Sequence, residues 1–202
     1  DATRYSTENQ VTFTQEESYD EYTVNSVDIN DNISENSDKI SVHNLHYGAN
    51  LVGLNVLPDN LNIGIILESL ESNINSIIGE GEAASLNQTL GWIGSLTNIS
   101  PGGGYWIRVD SDDMLILPGE SVDCEELNFN LNEGANLISY CCEQSMPLDI
   151  IPEDCSEIVG EGAASTFNPV LGWIGNLQEL NPGKGYWLKC SDQIQMQWDC
   201  GE

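Results

Sequence analysis

Basic residues are almost missing from this 202-residue chain: five Lys and Arg stand against 33 Asp and Glu, for a net charge of −28 at pH 7. A surface this negative repels phosphate, which argues against nucleic acid and anionic membranes as partners. Counterions screen such charge within about 8 Å at physiological salt, so the balance suits solubility in salty surroundings. No apolar run approaches the ~18 residues that a helical membrane span needs. The sequence shows neither a starting Met nor a signal peptide, and reads as a processed chain or an excised segment.

Catalytic signatures are missing too. There is no GxSxG and no GxxxxGK[ST], and the only histidines are His43 and His46. Gly79-Glu80-Gly81-Glu82-Ala83-Ala84 superficially matches a dinucleotide fingerprint. It would, however, present Glu80 to a pyrophosphate and lacks the strand–helix–strand context. Pro182-Gly183-Lys184-Gly185 reads as a turn. The chain is therefore expected not to be an enzyme.

Six cysteines (Cys124, Cys141, Cys142, Cys155, Cys190 and Cys200) form no CxxC and no His-bearing zinc pattern. Disulfides are the better reading, and they imply an oxidising, extracellular setting. Six cysteines allow fifteen pairings. Adjacent Cys141 and Cys142 point to opposite faces of a strand, which disfavours a bond between them. Cys190 and Cys200 flank a short hairpin and are one candidate pair.

What the chain does contain is a duplication. Gly79–Ile107 aligns with Gly160–Leu188 at a constant offset of 81, with 16 of 29 positions identical. Identity falls on Gly, Trp, Tyr and Pro, the mark of a repeated structural unit. One acidic position survives in both copies, Glu80 and Glu161, each between two glycines, where a backbone hydrogen-bonding or surface role is expected. Each copy opens with a Gly-Ala-Asn-Leu strand at Gly48 or Gly134, and continues through several short strands and a Pro-Gly turn. Leu61 to Asn75 predicts a helix with Leu61, Ile65, Leu67 or Glu68, Leu70 and Ile74 on its buried stripe, capped near Pro58. The second copy is five residues shorter there, interrupted by Pro152, and holds only a turn or two of helix. Cross-links in that copy would compensate for its smaller apolar core.

Residues 1–40 contain no Gly or Pro and are polar and acidic. Val11–Thr14 and Tyr22–Val27 alternate as strands do, and would pair with the repeats, pair with another subunit, or stay mobile. Asp28, Asn30, Asp31, Asn32 and Ser34 place oxygens at alternate positions, as calcium loops do, but without the turn Gly or the closing Glu. Asp110, Asp112 and Asp113 form a second such cluster. No cofactor is expected, with calcium the one ion these runs would suit. Trp92, Trp106, Trp173 and Trp187 either close small cores or form aromatic platforms for sugar rings. Asn32, Asn87 and Asn98 begin N-glycosylation patterns.

The pattern Gly-Ala-Asn-Leu-(Val/Ile), (Ile/Val)-Gly-Glu-Gly, Gly-Trp-Ile-Gly and Pro-Gly-x-Gly-Tyr-Trp resembles a tandem repeat of marine bacterial surface proteins and marine phage virion proteins. The resemblance covers about residues 47–117 and 133–198. It implies an exterior structural or adhesive module with no catalytic residues to carry over.

The expectation is a mainly β chain with a short helix per repeat (α+β). An extended acidic arm (residues 1–42) would precede two tandem β-rich repeat domains (43–122 and a disulfide-bearing 123–202). The expected function is a non-enzymatic extracellular structural subunit that assembles through its arm into a filament or a virion or cell-surface exterior. Its partners would be other copies or other surface proteins, with neither nucleic-acid binding nor membrane insertion. The alternative is a carbohydrate-binding adhesin using the Trp and Tyr platforms.

Overall fold

Duplicated sequence becomes duplicated hydrogen bonding in the structure, a computed structural model that describes residues 19–22 and 39–201. The first half runs β1 (Tyr19–Tyr22), β2 (Lys39–Leu45), β3 (Gly48–Gly53) and β4 (Val56–Leu57). A one-turn helix α1 (Ile63–Ile66) and a 3-10 segment (Glu68–Asn73) follow, then β5 (Ile74–Ile78), β6 (Ala83–Asn87), β7 (Gly91–Gly94), β8 (Gly104–Val109) and β9 (Asp113–Ser121). The second half repeats the plan with β10 (Phe129–Leu131), β11 (Gly134–Ser139), β12 (Met146–Pro147) and a single 3-10 turn (Leu148–Ile150). It continues with β13 (Cys155–Gly160), β14 (Ala163–Asn168), β15 (Gly172–Gly175), β16 (Glu179–Leu180), β17 (Gly185–Cys190) and β18 (Ile194–Met196).

Each half builds one five-stranded antiparallel sheet, in the orders β3-β8-β5-β6-β7 and β11-β17-β13-β14-β15, which are the same topology. A second sheet, β1-β2-β9-β4, backs the first half, and β10-β18 is its reduced counterpart. Strand alternation decides the faces: on β8, Tyr105, Ile107 and Val109 point into the core, while Trp106 and Arg108 point outward. The first core gathers Ile63, Ile66, Leu67, Leu70, Ile77, Ile107, Leu115 and Leu117. The second gathers Tyr140, Leu148, Ile158, Leu180, Leu188 and Trp198, with Trp198 edge-on to Phe129 and Tyr140 at 5.9 and 5.4 Å.

Several local expectations need correction. The helix is four residues long and capped by Asn62, whose side chain accepts from Gly64 N; a 3-10 segment continues it. Changing from 3.6 to 3.0 residues per turn rotates the buried stripe. Ile63, Ile66, Leu67 and Leu70 are buried, and Ile65 is exposed. The disulfides are Cys124–Cys141, Cys142–Cys200 and Cys155–Cys190, not Cys190–Cys200. Cys190 is unavailable because its place on β17 lies in register opposite Cys155 on β13. The first copy fills the matching register position with the buried pair Ile74 and Val109.

In the arm, Tyr19–Tyr22 forms a strand that pairs antiparallel with β2 of the same chain; of the expected Tyr22–Val27 run, residues 23–27 lie outside the described residues. Val11–Thr14 and the Asp28–Ser34 run lie outside the described residues. The expected boundary at residues 42 and 43 falls inside β2.

Candidate functional site

The two halves meet through reciprocal contacts around an approximate twofold. Gly53 N donates to Gly183 O at 3.0 Å, and Ser139 N donates to Gly102 O at 2.8 Å. Glu80 Oε2 accepts from Leu137 N at 2.7 Å, and Glu161 Oε2 accepts from Leu51 N at 2.9 Å. The glutamate retained in both copies therefore caps an edge-strand N–H of the opposite half, a donor that would otherwise lack a partner at the seam.

Packing follows the same exchange. Leu51 and Leu137 lie on the outer faces of their own sheets, yet are 0 % and 3 % exposed. Each rests on a glycine of the other half. A Cβ on Gly185 would come within 3.0 Å of Leu51 Cδ1 and 2.8 Å of Val52 O, and one on Gly104 within 2.9 Å of Leu137 Cδ1 and 2.7 Å of Ile138 O. At the centre, a Cβ on Gly53 would fall 2.6 Å from Ser139 Cβ.

Beside the seam opens a cleft of about 660 Å³ whose lining includes Asn44, His46, Asp112, Glu161, Asn181 and Lys184. His46 Nε2 meets Glu161 Oε1 in an ion pair across the seam, and its Nδ1 sits 2.8 Å from Tyr47 O. The Glu161 carboxylate raises the His46 pKa, helped by the Tyr47 carbonyl. A raised folded pKa means that the pair's contribution is complete below the usual 6.5 and fades as pH climbs through the folded value. On β2, His43 is fully buried. Burial, and then the charge of Lys184, push its pKa down to about 3, against a hydrogen bond to the Gly183 backbone.

Truncating the glutamates retained in both copies tests the seam. Glu80→Ala strips Leu137 N–H of its acceptor and is expected to cost about 1–3 kcal/mol in urea unfolding, whereas Glu80→Gln keeps an acceptor oxygen and costs less. Equal losses for the two variants would show that the carboxylate acts by charge alone.

The predicted site residues scatter. Trp92 shares the core face of its sheet with Leu86 and Ala84, while Trp106 shares the outer face with Ile78. Trp173 packs against the second core and stands edge-on to Phe167 at 5.5 Å; Trp187 faces outward beside Val159. The four tryptophans thus form no common platform. Asp112 Oδ1 accepts from Tyr47 N, and the two oxygens of Asp113 take Met114 N and Asn73 Nδ2, so these carboxylates serve turns. Asn87 Oδ1 closes its turn by accepting from Thr89 N and Leu90 N. Among the described residues, the one cluster of three metal-type ligand atoms is Cys124, Cys142 and Cys200, whose sulfurs are committed to disulfides.

No protein-family model, curated protein or solved structure matches this chain. The site must be read from its own chemistry. Its members His46 and Lys184 were invisible as a pair because 138 residues separate them (184 − 46). A signal was present nonetheless: in register, His46 and Lys184 are places where the copies differ, the other half carrying Asn132 and Gly103.

Proposed function

We propose that this chain is a non-enzymatic extracellular structural module that associates with further copies of itself on a filament, virion or cell-surface exterior. The observation that carries this reading is the outward face of the two large sheets. Ile78 and Val159, and Ile93 and Ile174, occupy matching positions there and are 43–52 % exposed, and Leu90 and Leu171 stand 74 % and 72 % exposed on the turns that enter β7 and β15. Trp106 and Trp187 lie half-buried among them.

Of the chain's 33 acidic residues, the paired positions on these two faces include only Glu157, which is neutralised by Lys189 at 2.6 Å. A chain of net charge −28 can bring two copies together only where the charge is absent or screened, and these faces meet that condition. Three disulfides and the absence, among the described residues, of a helix able to cross a membrane are compatible with this setting.

The test is light scattering against protein concentration at about 0.15 M salt, where the Debye length is ~8 Å. The native chain is expected to self-associate, and Ile93→Glu with Ile174→Glu to return it to monomer. A native chain that stays monomeric throughout overturns the proposal. Deleting residues 1–18, which leaves β1 in place, reports whether the arm adds to association. Sugar stacking is the second reading, and the outward placement of Trp106 and Trp187 restricts it to those two tryptophans.

A further inference from the structure

We propose that the cleft beside Lys184 binds a small polyhydroxylated carboxylate, a sugar acid of the uronate class. This cleft departs from the twofold. Exchanging the halves maps Lys184 onto Gly103, His46 onto Asn132 and Asp112 onto Gln193, so three ionisable side chains on one side face neutral residues on the other. The seam closes on both sides with the same backbone and glutamate contacts, so holding the halves together does not require these groups.

Cations are scarce here, five Lys and Arg plus two His in 202 residues, and His46 and Lys184 both line this cleft. His46 is met by Glu161, which leaves the Lys184 ammonium as the seat for a ligand's negative charge. The hydrogen-bonding inventory narrows the ligand. Both Glu161 oxygens are taken, by His46 and Leu51 N, and Asp112 Oδ1 is taken by Tyr47 N. Asn50 spends its amide on His46, Gly48 and Ile107. Lys184, by contrast, forms no ion pair with a described carboxylate, and Asn181 uses its Oδ1 on Ser145 while its Nδ2 has no bond among the described residues.

The Lys184 ammonium and the Asn181 amide thus call for acceptors, a carboxylate for the first and a hydroxyl or ring oxygen for the second, while the second Asp112 oxygen can accept from a ligand hydroxyl. Leu177, Ala163 and Tyr186 supply an apolar wall for C–H faces. The volume lies within the ~300–1,000 Å³ typical of small-molecule sites, room for a mono- or disaccharide.

The experiment is a titration of the full chain with glucuronate, glucose and acetate in turn, at constant ionic strength, followed by backbone amide NMR. Glucuronate is expected to shift the amides of Gly160, Glu161, Gly185 and Tyr186 saturably, and to leave their mirror set Gly79, Glu80, Gly104 and Tyr105 in place. Lys184→Met is expected to weaken binding at least tenfold while the remaining spectrum stays native. Shifts as large with acetate would mean an anion site only. Shifts with glucose alone, shifts on both sides of the seam, no saturable shift, or full binding by Lys184→Met would also overturn the proposal. Self-association is read separately by light scattering, so either proposal can fail without the other.

Discussion

Replacing His43 by Phe is expected to flatten the acid side of the chain's stability curve. A group whose folded pKa is depressed to about 3, from a usual 6.5, leaves stability intact above pH 6.5. As pH falls below that value the unfolded chain binds a proton that the folded chain refuses, and stability drains away until the folded pKa is reached. At about 1.4 kcal/mol per pH unit, the loss through this one side chain is on the order of 5 kcal/mol. Phe is the substitution of choice because Phe129 holds the matching register position in the second half, packed on Gly102 as His43 lies by Gly183. Gly183 O keeps Gly53 N as a donor, so the change orphans no carbonyl. Urea unfolding at pH 7.5, 5.5 and 4 checks it. The carboxylates act alike in both proteins and cancel in the difference, which should grow as the pH drops. Parallel curves would refute the role given to His43.

Reduction is expected to unfold one half and spare the other. All three disulfides lie in the second half, closing separations of 17, 58 and 35 residues. Chain-entropy arguments value such closures at about 3–4 kcal/mol each. Their sum rivals the ~5–15 kcal/mol that holds a whole domain together. The first half contains no cysteine and relies on a core to which α1 and the following 3-10 segment contribute Ile63, Ile66, Leu67 and Leu70. The second half has only one 3-10 turn in that interval and puts Cys155–Cys190 where the first half packs Ile74 against Val109. Hydrogen exchange with and without reductant is the measurement. Protection should vanish from β11, β13 and β17 and persist in β5, β8 and β9. Simultaneous loss in both halves would show that the seam makes them one cooperative unit, and no loss would show that the disulfides are dispensable.

What could be read from the sequence followed a physical divide. Short-range constraints were legible: the glycines, prolines and tyrosines that force turns and strands gave the duplicated β pattern, and Glu80 and Glu161, kept between glycines, pointed to either a backbone partner or a surface role. Long-range geometry was hidden. Whether Trp92 and Trp106 share a face depends on the pairing register of four strands, and Cys190 met Cys155 through register rather than proximity in the chain. The helix was misplaced because a 3-10 continuation has a different period from the α-helix assumed for it. The cleft assembles from segments around residues 46, 112, 161 and 184, and nothing local links them.

The reciprocal seam also limits how such a chain could have grown. Repeats that stack head to tail always leave an end open, so a further unit can be added by the same contact. Here each half both gives and receives the glutamate cap and the leucine, so the contact is used up once two units have met. A third unit would find no vacant place at the seam, and lengthening by this contact would proceed in pairs. The central position also distinguishes the members of a pair, since Gly53 faces Ser139 with no space for a second side chain. Two first-type units could close around two glycines, but two second-type units would collide there, so this seam favours an unlike pair over a pair of second-type units.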